Sequence, residues 1–211
     1  MLTLYFTPGA CSLAPHIVLE ESGEPYRKQM VDLANGEQRT EPYLQINPQG
    51  RVPALRLDDG EALTENTAIL PYLGKRFGLW PRDPLVEARS LSMIGFFAAS
   101  VHPAHAHLGR PERYATDPAA YPTIREAGLK SFHGYLQQID GMLAGREWLA
   151  GEYSVLDAYA LVFYAWGFRR ELPLHELPAY TAHKDRMLAR PAVRRVAVEE
   201  KLALARDLAR P

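Results

Sequence analysis

A change of pattern near residue 80 constrains this 211-residue chain more than any other feature. Before it, strand-like and helix-like segments alternate; beyond it, no segment reads as a strand. Leu2–Phe6 reads as a short strand that stops at the Pro8-Gly9 turn signal. Ser12–Glu21 carries Leu13, Ile17 and Val18 at helical spacing and ends at Gly23. Tyr26–Leu33 suits a second strand and Glu37–Leu44 a short polar helix. Two apolar runs, Val52–Leu57 and Ala62–Leu63-Thr64, then flank Asp58-Asp59-Gly60, whose tolerance of positive φ predicts a hairpin. Glu65–Phe77 closes the unit as a helix. The order βαβ-α-ββα describes an α/β domain on a small mixed sheet.

Leu79-Trp80-Pro81-Arg82-Asp83-Pro84 interrupts the pattern with two prolines and reads as a linker. The segments Leu85–Ala106, Pro118–Leu143, Val155–Arg169, Pro178–Ala189 and Pro191–Ala205 all read as helices, several opening at a proline whose missing N–H costs little there. We therefore expect residues 1–78 to form the α/β domain, 79–86 the linker and 87–211 an all-α helical bundle. Val155–Phe168 is apolar all round and should run through the middle of that bundle. Ser154 and Asp157 before and within its first turn match a capping box, which assigns Asp157 a structural rather than a catalytic part.

Charge and cysteine content exclude several classes. Twenty-four Lys and Arg against 25 Asp and Glu leave a net charge of -1, against the basic excess of nucleic-acid and membrane-surface binders. One cysteine cannot close an intrachain disulfide, which fits a reducing compartment. Met1–Tyr5 lacks the basic and apolar regions of a signal peptide, and no window approaches a membrane span, so a cytoplasmic protein is expected.

Four groups of residues are candidates for chemistry. Cys11 follows the Thr7–Ala10 turn at the entry to the first helix, where the helix dipole and free N–H groups would stabilise a thiolate. The competing reading is a buried structural cysteine. Val52-Pro53 heads a strand; a proline there withholds a ladder donor, and a cis bond would be unusual on sequence grounds alone. Glu65-Asn66 opens a helix and suits either an α-amino acid terminus, with its ammonium and carboxylate, or simple helix capping. His102, His105 and His107 invite a metal, but Pro103 interrupts the spacing and no acid or thiol lies near; a histidine lining a cleft is the better reading. There is no phosphate loop and no Gly-x-Ser-x-Gly elbow.

Taken together, Tyr5-Phe6-Thr7-Pro8-Gly9-Ala10-Cys11-Ser12-Leu13-Ala14, Asn47-Pro48-Gln49-Gly50-Arg51-Val52-Pro53-Ala54-Leu55 and Leu63-Thr64-Glu65-Asn66-Thr67-Ala68-Ile69-Leu70-Pro71-Tyr72-Leu73 closely resemble the cytosolic glutathione transferases, with the cysteine of the bacterial beta class. The resemblance implies a thioredoxin-like first domain that binds glutathione as co-substrate, with no metal, and a homodimer active in detoxification. It implies that Ala10, Cys11, Arg51, Val52, Pro53, Glu65 and Asn66 hold the tripeptide, with Pro53 cis. Cys11 and His102 would be catalytic, Cys11 lying beside the glutathione sulfur. Tyr159 and Trp166 would line the cleft for hydrophobic electrophiles, where His105, which has no counterpart in the family pattern, is also expected as a cleft-lining histidine. Conjugation and thiol–disulfide exchange are both implied, with Ser12 and Tyr5 as alternative hydroxyl groups. Three positions depart from the pattern: Pro103 stands where a lysine is usual, Gly95 where an asparagine reaches across the dimer, and Asn66 where serine is common. A non-catalytic carrier of glutathione or apolar ligands is the alternative; an interaction module that keeps only the fold would not need the complete set.

Overall fold

The computed structural model describes residues 1–209. Strands β1 (Thr3–Phe6), β2 (Arg27–Met30), β3 (Ala54–Arg56) and β4 (Ala62–Thr64) form one mixed sheet in the order β2-β1-β3-β4. β1 and β2 run parallel with Thr3 opposite Arg27, joined through helix α1 (Leu13–Ser22). β3 lies antiparallel to β1, with Tyr5 opposite Ala54, and β3 and β4 make the expected hairpin. All four β2 side chains are exposed, as suits the polar Arg27-Lys28-Gln29 run on a sheet edge. This strand is shorter than the predicted Tyr26–Leu33. Asp32 turns the chain instead, its carboxylate accepting the Ala34 and Asn35 N–H groups.

The polar helix expected over Glu37–Leu44 splits into a 3₁₀ turn at Glu37–Arg39 and a short helix α2 (Glu41–Leu44). Thr40 between them is extended, as the proline at 42 requires, since its ring would meet the Gln38 carbonyl of a continuing helix. Helix α3 (Asn66–Phe77) ends at Gly78, in the left-handed conformation at φ 72°. Helix α4 starts at Pro84, where the Asp83 carboxylate accepts the Leu85 and Val86 N–H groups.

The single helix predicted over Leu85–Ala106 is not continuous. It comprises α4 (Pro84–Phe96), a π-helical turn at Phe97–Val101 and α5 (His102–Gly109). Pro103 supplies the reason: it lacks an N–H and its ring excludes the carbonyl four residues back, and the wider turn accommodates both. Helices α6 (Tyr121–Leu143), α7 (Val155–Arg169), α8 (Pro178–Ala189) and α9 (Pro191–Glu199) complete the bundle. α9 stops short of the expected Ala205 because Lys201 takes φ 54° and begins a turn.

α7 is buried on nearly every face, as its apolar sequence dictates. Its capping box forms, and Asp157 goes further. Its buried carboxylate accepts from Ser154 N at 2.9 Å and Leu149 N at 3.0 Å, and pairs with His183 Nε2 at 2.9 Å. One apolar core joins the two halves, running from Leu4, Ile17 and Leu70 beside the sheet to Leu156 and Phe163 of α7. α7 therefore lies against α1, and its far end meets the turn that precedes α1. Among the described residues, no helix is long and apolar enough to cross a membrane.

Candidate active site

The turn after β1 is held by its own backbone and side chains. Ala10 N–H donates to Thr7 O at 3.0 Å, and the Ser12 hydroxyl bridges the Thr7 N–H and carbonyl, each at 3.1 Å. Gly9 at φ 70° allows the chain to reverse and leaves its peptide groups facing outward from the turn. Both are taken by residues distant in sequence. Trp166 Nε1–H of α7 donates to Gly9 O at 2.9 Å, and Gly9 N–H donates to Glu200 Oε2 at 2.8 Å. The other Glu200 oxygen meets His16 Nδ1 at 2.6 Å, and neither of those two side chains reaches solvent.

Cys11 leaves this turn pointing at the strand-heading segment. Its Sγ–H donates to Val52 O at 3.3 Å, and the Val52–Pro53 peptide is cis. The backbone before Val52 is fixed through Arg51 O, which accepts the Tyr43 hydroxyl and the Asn47 amide, each at 2.7 Å. From the other side, Asn66 Nδ2 donates to Cys11 O at 3.0 Å. The three segments that the sequence singles out thus meet at one cysteine. Ala10 packs against the small cluster formed by Tyr5, Val31, Tyr43, Val52 and Ala54.

The helix-capping alternative for Glu65-Asn66 does not hold. Glu65 stands at the N-cap position with φ 67° and ψ 130° and makes no side-chain cap bond, and Asn66 directs its amide to Cys11. A glutamate held at positive φ with a solvent-facing carboxylate is a backbone outlier of the kind that clusters at ligand sites.

The expected stabilised thiolate at Cys11 is also corrected. Burial pushes the thiol up to about 12, and the charge of Glu65 adds to that rise; Arg110 and Arg51 oppose it only in part. Desolvation outweighs the helix dipole because three segments close round the sulfur, although Cys11 keeps part of its surface accessible. Its S–H therefore persists at neutral pH as the donor to Val52 O. The Ser12 hydroxyl is committed to Thr7, and the Tyr5 ring packs edge-on against Tyr43 at 6.1 Å.

The three histidines do not converge. His102 lies edge-on to Trp166 at 5.0 Å and His105 stacks on the same indole at 4.1 Å, whereas His107 stacks on Tyr114 at 3.8 Å. Burial and the cations Arg51, Arg110 and Arg113 hold His102 down to about 4. Burial, then Arg170 and Arg169, hold His105 down to about 3. Both rings are neutral at pH 7 and offer hydrogen bonds rather than charge.

Tyr159 and Trp166 do not line an open cleft. They are 1% and 5% exposed. Tyr159 packs against Phe97 and Phe163, and Trp166 is covered by His102 and His105. A helix apolar on all sides has no open face to lend, so of the three residues expected there only His105 keeps part of its surface accessible. A separate open cavity of about 610 Å³ lies near the end of α7, lined by Phe168, Arg169, Leu172 and Leu174, and includes neither Cys11 nor His102.

Sequence reasoning missed Glu200, Arg110 and Arg113. Glu200 carries no local signal, since its partners lie about 190 positions earlier. The arginines sit after α5 in a segment without a motif, yet Arg110 acts on Cys11 and both act on His102.

Residues 9–76 match the family model described as the glutathione S-transferase N-terminal domain. The chain is 34% identical to glutathione S-transferase GstA of Escherichia coli O157:H7 over 199 residues, covering 91% of this chain and 95% of that protein. A glutathione transferase homologue from Sulfitobacter with bound glutathione superposes with a TM-score of 0.88 at 35% identity, covering 95% of this chain and 98% of that one. The beta-class glutathione S-transferase of Sphingomonas chungbukensis superposes at 0.83, also at 35% identity, over 95% of this chain and all of that one. With these likenesses extending over nearly the whole length, and with a thioredoxin-like sheet followed by a helical bundle, the chain belongs to the glutathione S-transferase family, among its bacterial members.

Proposed function

We propose that this protein joins the thiol of glutathione to hydrophobic electrophiles, with thiol–disulfide exchange through Cys11 as a second, slower activity. The observation that carries this reading is the meeting of Cys11 with Val52 and Asn66 through hydrogen bonds of 3.3 and 3.0 Å, beside the exposed carboxylate of Glu65. A peptide laid along Val52 finds main-chain partners, as in strand addition. Glu65 suits the γ-glutamyl ammonium, and the first turn of α3 offers backbone N–H groups to the neighbouring carboxylate. Residues 1–78 hold the tripeptide in this reading, and residues 87–211, beyond the 79–86 linker, cover the electrophile.

Glutathione bound this way brings its sulfur next to Cys11. The Cys11 S–H turns from Val52 O to that sulfur and stabilises it as a thiolate, while Arg51 and Arg110 add positive charge. His102, neutral, contributes a hydrogen bond. In conjugation the glutathione sulfur forms a bond to carbon, the leaving group departs with its electron pair, and the thiol proton passes to water. In exchange, Cys11 must first ionise; its sulfur then displaces one thiolate from a glutathione-containing disulfide, and that thiolate takes up a proton. The high thiol pKa makes exchange the slower of the two. The protein works as a homodimer in the cytoplasm, and its role is detoxification.

Calorimetric titration with glutathione, together with conjugation of chlorodinitrobenzene and reduction of hydroxyethyl disulfide, tests the proposal. Cys11→Ala keeps at least a tenth of the conjugating activity and loses the exchange activity. No uptake of glutathione at millimolar concentration overturns the reading and favours a carrier of apolar ligands.

A further inference from the structure

We infer that the electrophile taken by this cleft is itself an anion, a flat unsaturated or aromatic carboxylate gripped by arginines of the helical half. The inference rests on the transferase reading and narrows its second substrate.

Three glycines each carry an arginine guanidinium over the space where a side chain would be. Arg39 Nη1 lies 3.2 Å from the position of a Cβ on Gly50, Arg170 Nη2 2.8 Å from that on Gly109, and Arg169 Nη1 3.8 Å from that on Gly9. Arg51 and Arg110 follow Gly50 and Gly109 in the chain, and Arg113 ends the 3₁₀ turn after α5. Gly9 is fixed to Trp166, and Arg169 and Arg170 stand one turn beyond that tryptophan, on the same side of the chain. Six arginines therefore rim the place where the two halves meet.

Among the described residues, none of these six side chains makes an ion pair or a hydrogen bond. Arg76, Arg190 and Arg195 show the alternative, each paired with a carboxylate of Asp58, Glu21 or Glu20. Glu112 and Glu171 interrupt the cationic segments without forming an ion pair to them. The charges acting on Arg113 include Arg110, Arg51 and Arg39, all repulsive. Like charges gathered on an exposed surface set up a positive potential that draws in an anion, whose charge relieves their mutual repulsion.

Glutathione satisfies only part of this demand. As a thiolate it carries two net negative charges, and one of its carboxylates is served by α3. Arg39 and Arg51, beside Val52, are placed for the other. Arg110, Arg113, Arg169 and Arg170 remain, all from the helical half. The His102 and His105 rings form a neutral wall backed by Trp166, which itself holds the Gly9 carbonyl, and His105 Nε2 is buried and unpartnered. That wall suits a flat apolar skeleton, with the arginines at its edge for a carboxylate.

A matched pair of substrates tests this: 4-chloro-3,5-dinitrobenzoate and its neutral carboxamide. With either, the glutathione sulfur bonds to the ring carbon, chloride leaves with the bonding electrons, and the thiol proton goes to solvent. After correction for the uncatalysed rates, the carboxylate is preferred by about tenfold or more in kcat/KM, and the preference shrinks as salt is raised. Arg113→Gln combined with Arg170→Gln removes most of that preference through KM, while the carboxamide rate and the KM for glutathione stay within about twofold. Equal turnover of the two substrates by the unmodified protein, or equal losses in the double variant, overturns the inference and leaves the transferase reading standing. Absence of turnover with both overturns the transferase reading as well.

Discussion

Titrating Cys11 separates a thiol packed into a junction from a thiolate poised on a helix tip. The sulfur is held at about 12, against an ordinary 9.0. A thiol held that high has a thiolate population about a thousandfold smaller at any pH well below 9, so that at pH 8 about one chain in ten thousand is ionised. Alkylation by iodoacetamide, followed by intact-mass spectrometry without glutathione, reads this directly. The logarithm of the rate should climb with unit slope from pH 7 to pH 10 and show no plateau. The slope, not the absolute rate, carries the test, because a crowded thiol is slow for steric reasons as well. Glu65→Gln removes the second largest cause of the shift and should speed alkylation less than tenfold, since desolvation remains. The same group contributes to stability with a definite sign. The unfolded chain loses this proton near pH 9 while the folded chain keeps it, so stability falls as pH rises from 9 towards 12, by about 1.4 kcal/mol per unit at most. Cys11→Ala should flatten that part of the profile in urea denaturation. A rate plateau reached below pH 8.5 would refute the reasoning and restore the helix dipole as the dominant influence.

Other substitutions probe the contacts that hold the site. Glu200→Ala leaves His16 and the Gly9 N–H without their buried acceptor and should cost about 3–5 kcal/mol in urea denaturation, whereas Glu200→Gln keeps an acceptor and should lose less than half of that. Asp157→Ala opens three backbone and side-chain hydrogen bonds at the start of α7 together with the His183 pair, and should lower stability by about 3–5 kcal/mol without altering the ratio of conjugation to exchange. Trp166→Phe removes the donor to Gly9 O at a cost of about 1 kcal/mol, and should raise the KM for the electrophile more than that for glutathione.

The fold was legible where local chemistry decides it. Asp58-Asp59-Gly60 marks its hairpin through positive-φ tolerance, and Ser154 with Asp157 marks the start of α7. The misreadings have equally local causes. Pro42 and Pro103 each divide a helix that apolar periodicity alone would join, and Lys201 ends α9 by a backbone conformation that no residue preference announces. At the site, Cys11, Val52-Pro53 and Glu65-Asn66 are visible because each sits at the end of a strand or the start of a helix. The protonation of Cys11 was not, since it depends on burial by segments about 40 and 55 positions away. Glu200 and the arginines around Arg110 escape notice for the same reason: their meaning lies wholly in what folds against them.

The bond from Gly9 to Glu200 ties the turn after β1 to the stretch just beyond α9. During synthesis every motif of the first 80 residues leaves the ribosome long before that glutamate exists, so an early α/β unit must wait for the tail before its loop is locked. A proteolytic nick near residue 198 would spare each of those motifs and still loosen the cysteine they surround.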